Sequence, residues 1–213
     1  MILTDKGGDY AVAPVGTHRA LCVSIIDVGT QQGEYQGRQT LKRQVIIGWE
    51  LPDELIPEGH GDATGKPFFI SKFYTASLNE KSSLRKDLAN WRGRDFTASE
   101  LAGFDVRNIL GKGCMISVTH NEKKKAKVTG VASLPKALRE MPKPVNAERY
   151  FSLDAFDKAV FDSLPEGIQK IIKLSPEYQA AVGNAPVEDE VEPLPDGVTD
   201  DFDANAPSNQ APF

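Results

Sequence analysis

Between residues 16 and 135 apolar residues recur at every second position, and glycine-bearing turns cut the pattern into short runs. Successive side chains of an extended strand point to opposite faces, so this period predicts strands with one face buried. "HRALCVSIIDVG" predicts a first strand, entered after a turn at Pro14 and Gly16 and ended by Gly29. "LKRQVIIGWEL" predicts a second, stopped by Pro52, with the polar "GTQQGEYQGR" as the loop between them. "KPFFISKFYT" predicts a third, after the loop "PDELIPEGHGDATG". Then the period changes. In "NEKSSLRKDLANWRG", Leu84, Leu88 and Trp91 recur at i, i+4 and i+7, with Gly93 as a C-terminal stop, which predicts an amphipathic helix of about three turns. Thr97 and Glu100 have the spacing of a capping box, and Asp105 and Gly111 bracket another short helix. "GCMISVTH" and "AKVTGVASL", joined by "NEKKK", predict a closing hairpin.

The expected architecture is therefore mainly β with α: strand, strand, strand, helix, strand, strand. That order matches the five-stranded OB-fold, a Greek-key barrel that hides its edges by closing on itself; an unrelated mixed α+β sandwich is the alternative. Residues 1–15 read as an N-terminal arm and 16–135 as the barrel domain. Residues 136–183 read as a Pro-rich connection followed by a helical appendage. There "SLDAFDKAVFDSL" puts Leu153, Phe156, Val160 and Leu164 on one face with Ser152 as cap; "EGIQKIIKL" follows, and "SPEYQAAVG" carries Ser175 and Pro176 at its start and Gly183 at its stop. Such small helices must pack on the barrel or on another subunit. From residue 184 Pro, Asp, Glu, Ala, Asn and Gly predominate, with too little apolar surface to offset chain entropy, so an acidic disordered tail is expected.

Charge divides the same way. The net charge of −5 averages a balance of +4 over residues 1–173 with a stretch from 174 to 213 that has nine acids and no Lys or Arg. No run approaches the ~20 apolar residues of a membrane span and "MILTDKGGDY" lacks signal-peptide character, so a cytoplasmic protein is expected, with no membrane partner. Cys22 and Cys114 lie in strand-like stretches without Cys-x-x-Cys spacing and read as buried reduced thiols.

Catalytic constellations are lacking. His18, His60 and His120 fall in different elements without metal-ligand spacing, and there is no phosphate loop, dinucleotide fingerprint or nucleophile elbow. Glu50, Asp53, Glu54 and Glu58 cluster as a divalent-metal nuclease would require, though an acidic solvated loop is the plainer reading. No catalytic residue, metal or cofactor is assigned, and a non-enzyme is expected.

Nucleic-acid binding has more support. An OB barrel holds its ligand across strands two and three, between the loop joining strands one and two and the hairpin joining strands four and five. Tyr35 and Arg38 fall in the first of those loops, Lys42 and Arg43 open strand two, Lys72 and Tyr74 share a face of strand three, and Lys123, Lys124, Lys125 and Lys127 occupy the last hairpin. Lysines would follow phosphates and aromatic rings would stack on bases. Each feature has a plainer reading, as a solvated turn or a loop anchor, and Trp49, Phe69 and Phe73 read as core.

With these residues laid out, the chain resembles phage-encoded single-stranded DNA-binding proteins of the OB-fold type. The resemblance rests on "DVGTQQGEYQGRQTLKRQVIIGWEL", on "KFYTASLNEKSSLRKDLANWRGRDFTASELAGFDVRNILGKGCMISVTHNE" and on "SPEYQ", and covers roughly residues 16–182. It implies sequence-tolerant binding of single-stranded DNA during phage replication or recombination, inside a bacterial host, without catalysis. The tail is similar in style to the acidic, Pro-Phe-ended tails of bacterial single-stranded DNA-binding proteins, which recruit replication and repair enzymes. Here Asp200, Asp201 and Asp203 are separated from Pro212 and Phe213 by "ANAPSNQA", a departure from contiguous acids. A flexible acidic segment tethered to a basic groove would also compete with DNA. Homo-oligomerisation is compatible with this reading, since one OB fold covers few nucleotides. The rivals are an OB-fold protein–protein adaptor and, further off, a metal-dependent nuclease.

Overall fold

The computed structural model describes residues 11–35 and 38–183, with side chains for all of these but 34, 35 and 38. Five antiparallel strands run in the spatial order β3-β2-β1-β4-β5: β1 Gly16–Tyr35, β2 Arg38–Leu55, β3 Pro67–Thr75, β4 Gly113–His120 and β5 Ala126–Ala132. A sixth, β6 Arg149–Phe151, lies parallel to β1 at Ser24, Ile25 and Ile26, along the edge that β4 leaves after pairing with residues 16–21. β3 and β5, the ends of the path, approach each other, and α1 (Ser83–Arg92) packs against both; no hydrogen-bonded ladder joins the two strands among the described residues. The order of strands and helix is the expected one, with a short second helix, α2 Ala98–Ala102, between α1 and β4.

Two boundaries differ from the sequence reading. β1 continues through Gly29, which takes φ +73 at a register shift between Asp27 and Gly29, so the glycine bends the strand instead of ending it. β2 passes Pro52, which falls in the irregularity between Leu51 and Leu55, where no ladder needs the missing N–H.

An earlier shift between Cys22 and Ser24 moves the inward positions of β1 from even to odd numbers, so Ile25 follows Ala20 and Cys22 into the inner core. Val45, Ile47, Trp49 and Leu51 of β2 meet them, with Phe68 and Ile70 of β3 and Leu84, Leu88 and Trp91 of α1. Trp91 also donates its indole N–H to the Gly113 carbonyl at 2.9 Å, tying α1 to β4. Trp49 is core as expected. Phe69 and Phe73 lie half-buried on the outward parity: Phe73 packs against the outer apolar cluster, and Phe69 lies over Gly48, where a Cβ would stand 2.4 Å from its ring.

The outer face of β1 and β2 is covered by the chain's own later residues. Residues 134–148 cross it first: Leu134 and Met141 rest on Gly113, Arg19 donates to the Glu140 carbonyl, and Glu50 accepts from the Val145 N–H and from both the backbone and side-chain nitrogens of Asn146 at 2.7–3.1 Å. The appendage follows. Ser152 caps only a 3-10 turn at Leu153–Ala155, and the helix behind it, α3 Lys158–Asp162, starts from Asp157 instead. With α4 (Glu166–Lys173) and α5 (Pro176–Val182, capped by Ser175 as expected) it forms a second core. Phe151, Leu153, Phe161, Leu164, Ile168, Ile171 and Ile172 there bury Ile26, Val28 and Ile46 of the sheet. Each such side chain contributes about 1.5–3 kcal/mol on burial, so the appendage is a fixed layer and not a lid. Gly29 allows the closest approach, with Ser175 standing where its Cβ would be.

Glu50 is 1% exposed and anchors the crossing segment. Glu50→Ala should lower unfolding free energy by about 2 kcal/mol in urea denaturation, with Glu50→Gln milder. An unchanged midpoint would contradict the anchor.

Candidate nucleic-acid interface

β1 and β2 outrun the sheet. β3 pairs with β2 only as far as Gln44 opposite Thr75, and beyond that residues 30–35 and 38–43 pair with each other alone. The stretch expected as a loop is thus a two-stranded arm, held at its base by the appendage, where Thr30 donates to Glu177 and Gln31 to the Ile171 carbonyl. Tyr35 and Arg38 form its last pair and residues 36 and 37 lie outside the described residues. Lys42 is exposed opposite Gln31, and Leu41 next to it is 72% exposed, a large apolar side chain standing in solvent.

Arg43 marks the root. Its Nε and Nη2 donate to Asp27 at 3.2 and 2.5 Å, and Nη2 donates to Asp154 at 2.8 Å. The hydrogen bond to Asp27 above all, opposed by partial burial and helped by Asp154, holds the guanidinium above its ordinary pKa. Asp27 also accepts from the N–H groups of Gly29 and Leu153, so one carboxylate joins the bulge, the arm and the appendage.

Lys72 and Tyr74 leave the interface. Both share the inward parity of Phe68 and Ile70 and meet Asp87 of α1. The Tyr74 hydroxyl and the Lys72 Nζ each donate to the same Asp87 oxygen at 2.8 Å, with Nζ 4.8 Å from the Tyr74 ring centre. At 2% exposure the Tyr74 ring has no face to offer a base. Asp87 occupies the apolar stripe between Leu84 and Leu88, and a charge on the buried side of a helix was the signal that a polar partner awaited it.

Lys123, Lys124 and Lys125 are exposed in the β4–β5 turn, where Lys124 takes φ +58 and the Asn121 side chain accepts the Lys125 N–H at 2.9 Å; Lys127 is half-buried opposite Thr119. Gly16 opposite Val118 puts this turn beside the start of β1, whereas the arm is at the other end of that 20-residue strand. The basic features expected along one furrow therefore form two groups. The tail residues Asp200, Asp201, Asp203, Pro212 and Phe213 lie outside the described residues.

The acidic cluster disperses. Glu50 holds residues 145 and 146, Asp53 makes a two-point contact with Arg19 at 2.6 Å, and Glu54 meets His18 at 2.9 Å. Among the described residues no group of three or more His, Cys, Asp or Glu is placed to hold a metal, and no helix is long and apolar enough to cross a membrane.

Sequence reasoning missed a cleft of about 290 Å³ at the arm's root. Its lining includes the buried Ile25, Val45, Leu84 and Leu88, the half-buried rings of Phe104 and Tyr150, and the charged Asp27, Arg43 and Asp154. The Arg107 guanidinium lies 4.0 Å from the centre of the Tyr150 ring. Residues from β1, β2, α1, the segment at Phe104 and the segment at Tyr150 meet here, a proximity that no local spacing encodes. Comparison with family models, curated proteins and solved structures finds no match for the chain.

The interior carries three groups that hold their protons tightly. Burial, then Asp87, raises the Tyr74 phenol well above its ordinary value of 10, and burial pushes the Cys22 thiol up to about 12 and raises Cys114 as well. The native state keeps these protons where the unfolded chain has lost them, so the stability they contribute is complete below about pH 9 and is lost as pH rises further. Urea midpoints should be flat up to pH 9 and fall above it, with a shallower fall in Tyr74→Phe, which should also cost about 1 kcal/mol at neutral pH. A midpoint that rises through pH 10 would contradict the assignment.

Proposed function

We propose that this chain is a non-enzymatic, OB-type single-stranded DNA-binding protein of phage replication or recombination, with its contact surface on the β1–β2 arm and not on the outer face of strands two and three. The arm carries the reading. A two-stranded ribbon has little stability of its own, and this one extends past the sheet with Lys42 and Leu41 exposed and Tyr35 and Arg38 closing its tip. Cations spaced along a ribbon neutralise phosphates, and an exposed apolar or aromatic side chain gives bases a surface to stack on without reading their identity. The strand order β3-β2-β1-β4-β5 supports the OB assignment, being that of such a barrel opened between its third and fifth strands. The exposed Lys123–Lys125 turn serves as a second, separate phosphate contact. The acidic tail, through Asp200, Asp201, Asp203, Pro212 and Phe213, recruits replication or recombination proteins and competes with DNA for the cations.

The covered outer face favours a second reading, an OB-type adaptor that binds protein through the same arm. Fluorescence anisotropy with labelled oligo-dT separates the two. The DNA reading expects binding that weakens steeply with salt, and replacement of residues 32–41 by a short Gly-Asn turn should abolish it while thermal unfolding is kept. Lys42→Glu should weaken binding about tenfold and flatten the salt dependence. Binding indifferent to salt, or undiminished without the arm, sinks the DNA reading.

A further inference from the structure

The cleft at the arm's root has a shape and a polarity that the arm alone does not explain. Its lining is more apolar than polar and includes two flat rings, Phe104 and Tyr150. About 290 Å³ is at the small end of ligand pockets, room for one flat heterocycle rather than a peptide segment. The charged groups of the lining are paired with one another, Arg43 with Asp27 and Asp154. Such a mouth favours a neutral group inside and leaves anionic phosphates outside, where Lys42, one residue along the arm from Arg43, is exposed.

The rim also has hydrogen-bonding capacity of both kinds. Arg43 spends Nε and Nη2 on carboxylates, while its Nη1 has no acceptor among the described residues. Asp154 is largely exposed, with one carboxylate oxygen on Arg43 and the other open to a donor. A ring bearing both carbonyl and N–H edges satisfies this pair, and a plain hydrocarbon does not. The Arg107 guanidinium over the Tyr150 ring holds that ring in place.

We propose that the cleft is a base-binding pocket: one unpaired nucleobase of the strand that follows the arm leaves the stack and inserts between Phe104 and Tyr150, its polar edge on Arg43 and Asp154. The inference rests on the DNA reading above and adds a defined subsite to it. Insertion occurs where the arm meets the body, so it also fixes the register of a strand that the arm alone would let slide.

Ala76 lines the cleft and is exposed, so Ala76→Trp obstructs the entrance without entering the core. The experiment measures anisotropy of two labelled 12-mers, oligo-dT and an abasic strand of the same length, with the full chain and with Ala76→Trp, thermal midpoints serving as the check on folding. The expected result is a loss of about tenfold on oligo-dT in the variant, the worth of one stacked base, with equal affinities of both proteins for the abasic strand. If Ala76→Trp binds oligo-dT as the parent does, the pocket is overturned and the arm reading stands. Failure of the parent to bind either strand overturns both. Should Ala76→Trp fail to fold, Tyr150→Leu removes one wall and must show the same selective loss on oligo-dT; equal binding there overturns the pocket too.

Discussion

The structure depends on the burial of β1 and β2 from both sides. Ile25 and Ile26 are neighbours in sequence and both are buried, one inward and one outward, and Ile46 and Ile47 repeat the arrangement on the next strand. A sheet with apolar side chains on both faces needs two layers over it. α1 and the curving sheet supply the inner one; the crossing segment and helices α3 to α5 supply the outer. Two register shifts in β1 make this possible, since each turns the strand enough to exchange which side of the sheet its next residues serve.

That requirement redirects function. The outer face of strands two and three is where an OB barrel would hold nucleic acid, and here the chain occupies much of it with a fixed apolar layer and a buried carboxylate anchor. What remains exposed is the part of the hairpin that neither layer reaches. In the proposed reading the contact surface is therefore an extension and not a face, and the junction between extension and body is where polar and aromatic groups from separate stretches meet.

Charge follows the same logic. Lys72, Arg43 and Glu50 each resemble surface groups when taken alone, yet each holds two pieces of chain together: Lys72 with Tyr74 and Asp87, Arg43 with Asp27 and Asp154, Glu50 with residues 145 and 146. Desolvating such groups is costly unless they are paired, which is why the buried ones come with partners, while the Arg43 set stays open on its solvent side. Their partners stand 13 to 111 positions away along the chain.

Local chemistry was readable in advance. Period two gave five strands in order, the stripe of Leu84, Leu88 and Trp91 gave α1, and Thr97 with Glu100, Asp105 and Ser175 gave the caps, because each depends only on residues a few positions apart. The apolar stripes of the later helices also announced that they would pack on the barrel or on another subunit, though they did not say where. Whether Gly29 ended a strand or bent it, whether Tyr74 faced solvent or Asp87, and whether a cleft would open beside Tyr150 were decided only in three dimensions. Such outcomes rest on contacts between distant segments, and the preference of one residue for strand or turn is too small to outweigh the burial of a whole apolar layer.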